Sequence, residues 1–135
     1  MKYLSLDEAI ILHNDIMRQM GGLQGFDKSR ICYLESALEH IKNDDFYPTL
    51  LDKLTHLVFC CVKFHPFLDG NKRSAIYLAK AFIKLNAPKM LPNDFYQKLE
   101  NVVVSVASDE IDKDTLKAIL ANILGLESPK HKSKK

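Results

Sequence analysis

Nine consecutive residues, His65 to Arg73, carry a density of chemistry found nowhere else in this chain. They supply an imidazole at His65, a carboxylate at Asp69, a bare backbone turn at Gly70, an amide at Asn71 and two cations at Lys72 and Arg73. A glycine ahead of a helix start exposes backbone N–H groups that no helical carbonyl can satisfy, and with the helix dipole they attract an anion. Two cations at that same end oppose the dipole, so they are locally unfavourable unless an anion offsets them. Asp69, the lone carboxylate of the loop, suits magnesium, which keeps most of its waters and takes one or two protein carboxylates. His65 at the edge can take the proton of an incoming hydroxyl near neutral pH. Clamp, metal and base together describe a phosphoryl- or nucleotidyl-transfer site.

The elements that must hold this stretch read as six helices, with no convincing strand. Ser5 caps the first, whose apolar stripe is Leu6, Ile10, His13, Met17 and Met20, and Gly21-Gly22 stops it. His13 on that stripe is expected to be buried, bonded to backbone or a neighbouring acid. Asp27 or Ser29 caps a second helix with stripe Ile31, Leu34, Leu38 and Ile41, and residues 42–48 form a polar link. The third helix runs from Thr49 to His65, with His65 continuing the row Leu54, Val58, Cys61 toward the core. Pro66 ends it, because proline disfavours α geometry at the residue before it. Asn71 is expected to cap the fourth helix, whose inner positions are Ala75, Ile76, Ala79, Phe82 and Ile83. A fifth helix spans about Pro92 to Ala107, and a sixth opens at Asp112 or Asp114 and ends at Gly125. The expected architecture is one all-α domain over 1–126, a six-helix bundle with the reactive loop between its two central helices, and a basic disordered tail over 127–135.

Composition narrows the alternatives. The chain has 135 residues, enough for one sizeable core, and its 47% hydrophobic content is ordinary for a soluble protein. No apolar run is long enough to span a membrane, and acidic Asp7 and Glu8 interrupt any signal-like core, so the cytoplasm is the expected location. Four lysines in residues 130–135 supply +4 against a total of +2, leaving 1–129 at −2. A mildly acidic body argues against direct nucleic-acid binding, and the basic residues do not line a recognition helix. Three cysteines, two adjacent at Cys60 and Cys61, make neither a disulfide framework nor a zinc set, and read as buried small hydrophobes. A phosphohydrolase built on His13, His40, His56 and His65 would want a His-Asp dipeptide, which is absent.

His65-Pro66-Phe67-Leu68-Asp69-Gly70-Asn71-Lys72-Arg73 closely resembles the H-P-F-x-[D/E]-G-N-[G/K]-R motif of Fic-domain proteins. Tyr3-Leu4-Ser5-Leu6-Asp7-Glu8, the Gly21-Gly22…Gly25 loop and Leu34-Glu35-Ser36-Ala37-Leu38 resemble the Doc branch, the toxins of Phd–Doc pairs. The resemblance covers roughly residues 3–90. It implies His65 as general base, Asp69 as magnesium ligand, Gly70 and Asn71 on phosphates, Arg73 paired with a phosphate, and Phe67 facing the core.

The residue at position 72 divides the family. AMP transferases of this kind usually have glycine there, whereas Doc proteins have lysine and move the γ-phosphate of ATP to a threonine of elongation factor Tu, arresting translation. Lys72 therefore implies a kinase, with a protein AMP transferase as the alternative. Many AMP transferases also carry a β-hairpin flap before the motif; residues 42–48 are too short for a full one. The inhibitory [S/T]-x-x-x-E-[G/N] helix of the family is missing: Ser36 meets His40 and Ser5 meets Ala9 at the glutamate position. An unbraked toxin implies an antitoxin in trans, Phd-like, whose C-terminal segment folds onto a groove of the bundle.

Overall fold

In the computed structural model, residues 1–126 are described; the tail expected over 127–135 lies outside them. Six α-helices form: α1 (Leu6–Met20), α2 (Ile31–His40), α3 (Leu50–Phe64), α4 (Asn71–Asn86), α5 (Phe95–Ala107) and α6 (Lys113–Ile123), with a 3₁₀ turn at Pro88–Met90. No strand occurs among the described residues, only an isolated antiparallel bridge between Phe26 and Phe67. Among the described residues no helix is long and apolar enough to cross a membrane.

Side-chain caps set half of the helix starts. Ser5 and Glu8 make a reciprocal capping box on α1, Ser5 N donating to Glu8 Oε1 at 2.8 Å and Glu8 N donating to Ser5 Oγ at 3.1 Å. Thr49 and Asp52 do the same for α3. Asp112 caps α6 by accepting from Thr115 N at 2.8 Å. α2 begins later than the sequence suggests. Asp27 spends its side chain on Ser29 N and Oγ, a tight local turn, and the helix starts at Ile31 without a side-chain cap.

α3 is the central post. It packs against α2, α4, α5 and α6, and ten of its fifteen residues are buried. Seven of those ten are apolar, and Lys53, Thr55 and His56 are sunk with them, which only an enclosed helix allows. α4 lies against α3 on one side and α1 and α5 on others, sinking Ala75, Ile76, Leu78, Ala79, Phe82 and Ile83 into the same core. Cys60 and Cys61 are buried as expected, but Cys32 is exposed on α2. On α1 the buried stripe is Ala9, His13, Ile16 and Met17, while Met20, the last residue of the helix, is half exposed.

The loop joining α3 to α4 thus leaves from the end of the most constrained helix and enters another core helix. The 42–48 link sits at the opposite end of α3, about 22 Å away at 1.5 Å per residue. It cannot be the segment that borders the reactive loop. That place belongs to residues 21–30, between α1 and α2.

Candidate active site

α3 ends at Phe64, and His65 turns left-handed, with φ 50° and ψ 58°. Helices commonly stop on such a residue, usually glycine; a histidine there costs about 1–2 kcal/mol. The turn swings the imidazole off the Leu54, Val58, Cys61 row, so His65 is exposed rather than directed at the core. Pro66 behind it prevents a helical continuation.

The loop is stitched to residues 21–30 by backbone. Asp27 N donates to Pro66 O at 2.9 Å and Leu68 N donates to Gly25 O at 3.2 Å, on either side of the Phe26–Phe67 bridge. Gly25 N in turn donates to Asn14 Oδ1 of α1 at 2.9 Å. Phe67 points inward, 2% exposed, and stacks on His13 with ring centroids 3.8 Å apart.

Asn71 does not cap α4. Gly70 holds the cap position in the left-handed region, φ 67°, which glycine adopts without penalty. Asn71 instead reaches back across the turn: its Oδ1 accepts from Phe67 N at 2.9 Å and its Nδ2 donates to Phe67 O at 3.0 Å. The first α-helical bond of α4 is Ser74 N to Gly70 O, so the N–H groups of Asn71, Lys72 and Arg73 have no helical partner.

Asp69 is held from two directions. Its Oδ2 accepts from Leu23 N at 3.0 Å and its Oδ1 from Gly70 N at 2.8 Å. These two bonds, Leu23 first, hold its carboxyl below the usual carboxylate range, and the charge of Arg73 adds to the effect. Arg73 Nη1 donates to Gly21 O at 3.5 Å, and neither Lys72 nor Arg73 forms an ion pair among the described residues.

Beneath the loop, His13 is 1% exposed and its Nδ1 lies 2.6 Å from Ser74 Oγ on α4, a partner the sequence did not announce. Burial pushes its pKa down, opposed by the Leu23 backbone and the Asp69 charge, while Nε2 is buried without a partner at hydrogen-bonding geometry. Met17 fills the remaining space. A Cβ added to Gly70 would lie 2.5 Å from Met17 Cε, and one added to Gly22 would lie 2.6 Å from Met17 Sδ. Both positions also have positive φ, 136° at Gly22 and 67° at Gly70, which a side chain would strain.

His65, Asp69, Gly70, Asn71, Lys72 and Arg73 all line one open cleft of about 530 Å³. Its far wall is α5, through Tyr96, Glu100, Val103 and Val104. Sequence reading found the loop residues but neither this wall nor the Leu23 N–H on Asp69. Leu23 acts through its backbone, which carries no residue signature, and the α5 residues read as an ordinary amphipathic helix. Among the described residues no group of three or more His, Cys, Asp and Glu side chains could hold a metal by themselves. A single carboxylate beside an anion-attracting helix end is a different arrangement, in which a cation would be shared with phosphates.

An all-helical bundle with this loop between its central helices defines a known class, and a model of the Fic/DOC family matches residues 3–83, more than half of the chain. The chain belongs to that family. Among curated proteins it is similar to "Toxin Doc" of Mycolicibacterium smegmatis, 32% identical over 77 residues, which span 57% of this chain and 59% of that protein. It is also similar to "Protein kinase doc" of Escherichia phage P1, 27% identical over 130 residues, 93% of this chain and 98% of the phage protein. Both relatives carry the Doc name.

Proposed function

We propose that the chain is a Doc-type toxin: a protein kinase that transfers the γ-phosphate of ATP to a threonine hydroxyl of a translation factor, elongation factor Tu, and so inhibits translation in the cytoplasm. The observation that carries this reading is the single cleft in which His65 shares walls with the Gly70–Arg73 helix start and its unpaired cations. The names of the two relatives, a toxin and a protein kinase, support it.

In this reading His65 Nδ1 or Nε2 accepts the proton of the target hydroxyl as its oxygen bonds to the γ-phosphorus, and the bond to the β-phosphate oxygen breaks, releasing ADP. The N–H groups of Asn71, Lys72 and Arg73 face the phosphates, with the Lys72 and Arg73 heads balancing their charge. Asn71 contributes backbone, since its side chain is committed to Phe67. Asp69, kept ionised and open to the cleft, fits a magnesium ion, which when bound would neutralise charge on the phosphates. Residues 1–126 make up the catalytic domain, and a Phd-like antitoxin binding in trans supplies the brake that the chain's own helices lack.

Lys72 favours kinase over AMP transferase, because it adds a side chain and a cation where AMP transferases of the family usually have glycine. ATP labelled separately at the α- and γ-phosphate, incubated with elongation factor Tu, tests the choice. Label from the γ-position on the target supports the kinase. Label from the α-position overturns it in favour of AMP transfer.

A further inference from the structure

The carboxylate of Asp69 is oriented by a segment that cannot hold its own shape. Leu23 N donates to Asp69 Oδ2 at 3.0 Å, and Leu23 sits among Gly21, Gly22 and Gly25, all at positive φ. Three glycines in the five residues 21–25 leave the backbone many alternative paths, so neighbours must impose the one it takes. Two adjacent residues of α1 are placed to do so. Gly25 N donates to Asn14 Oδ1 at 2.9 Å. His13 lies beside Leu23: burial lowers the pKa of its imidazole, and the Leu23 backbone raises it in part.

Histidine is an unfavourable residue for that post. It is 1% exposed on a stripe whose other buried members are apolar, and Ser74, its partner at 2.6 Å, is equally buried. An apolar pair would fill the same space with no polar group to satisfy. The ring instead joins three pieces of chain. Nδ1 meets Ser74 in the first turn of α4, one face lies on Phe67 of the loop with the planes 5° apart, and the Leu23 backbone acts on it from the third side. In a neutral ring, Nδ1 accepting from the Ser74 hydroxyl leaves the proton on Nε2. That nitrogen is the one without a partner at hydrogen-bonding geometry, and the Leu23 carbonyl is an acceptor for it.

We propose that His13 is a positioning residue: through Leu23 it fixes the Asp69 carboxylate in the orientation that holds a magnesium ion shared with phosphates. The inference rests on the magnesium role proposed for Asp69, and it adds to that role a residue outside the cleft lining. Groups that orient a metal ligand from behind are typically worth about tenfold to a hundredfold in metal affinity.

Two readouts on the full chain test it, with no protein target present. In the metal-free protein, the Leu23 amide should exchange its hydrogen more slowly in wild type than in His13→Phe, which keeps a flat ring against Phe67 but no polar atom. Calorimetric ATP binding, with magnesium and then with a chelator, should show a gain from magnesium that falls about tenfold in His13→Phe. Binding of chelated ATP should stay as in wild type. In an Asp69→Asn background, which has already lost the gain, His13→Phe should have no further effect. Ser74→Ala, a smaller perturbation, should lower the gain in the same direction and carries the test if circular dichroism shows His13→Phe unfolded. An undiminished gain in the folded variant, or equal Leu23 exchange in both proteins, overturns the inference and leaves the phosphate-binding loop standing. Equal loss of ATP binding with and without magnesium makes His13 a packing residue and also overturns it. Wild type that gains nothing from magnesium overturns this inference together with the role proposed for Asp69.

Discussion

Asn71→Ala separates two roles that one side chain could have. In the structure the amide closes a ring with both backbone groups of Phe67, at 2.9 and 3.0 Å, in a partly buried setting. Removing it strands a donor and an acceptor next to a side chain only 2% exposed. Each unsatisfied group costs about 1–3 kcal/mol when buried, and partial access of water brings the pair to about 2 kcal/mol together. For a chain of this size that lowers the melting temperature by about 8 °C. Asn71→Asp can still accept from Phe67 N but cannot donate to Phe67 O, so it should lose about half as much. Denaturant unfolding of the three proteins, with nucleotide affinity measured alongside, checks the argument. If Asn71→Ala unfolds like wild type while nucleotide affinity collapses, the amide is a phosphate ligand and the brace is wrong.

Three further outcomes follow from the geometry. His65→Gly should be more stable than His65→Ala by about 1 kcal/mol in denaturant melts, because glycine relieves the left-handed turn, while both lose transfer activity. Gly70→Ala should destabilise the chain by about 1–2 kcal/mol in denaturant melts, since a side chain at φ 67° is strained and its Cβ would push the end of Met17 aside. His56 supplies a pH test away from the cleft: burial first, then the charges of Lys113 and His40, push its pKa down from 6.5 to about 4. Between those values the unfolded chain binds a proton that the folded chain refuses. Stability should therefore fall as the pH drops through that window, by at most about 3 kcal/mol, and His56→Gln should flatten the slope in melts at stepped pH.

The reactive loop was legible because its residues are contiguous and their types are unusual together; helix starts at Ser5, Thr49 and Asp112 were legible because capping is a local affair. What escaped lies across sequence distance or on the backbone. His13 meets Ser74 from 61 residues away, and Leu23 meets Asp69 from 46 away, so no spacing announces either pair. Asn71 has the composition of a cap, but Gly70 can take the left-handed cap position and free the amide for Phe67. His65 extends a helical row on paper, and its backbone leaves the helix one residue too soon for that row to hold. The 42–48 link precedes the motif in sequence, yet α3 carries the motif a helix length away from it. The segment that borders the loop comes earlier still, at residues 21–30.

The most direct measurement is the intact mass of elongation factor Tu recovered after incubation with ATP, magnesium and either wild type or His65→Ala. Wild type is expected to add one phosphate to a hydroxyl residue and His65→Ala none. An adenylate-sized increment, or a phosphate that still appears with His65→Ala, would contradict it.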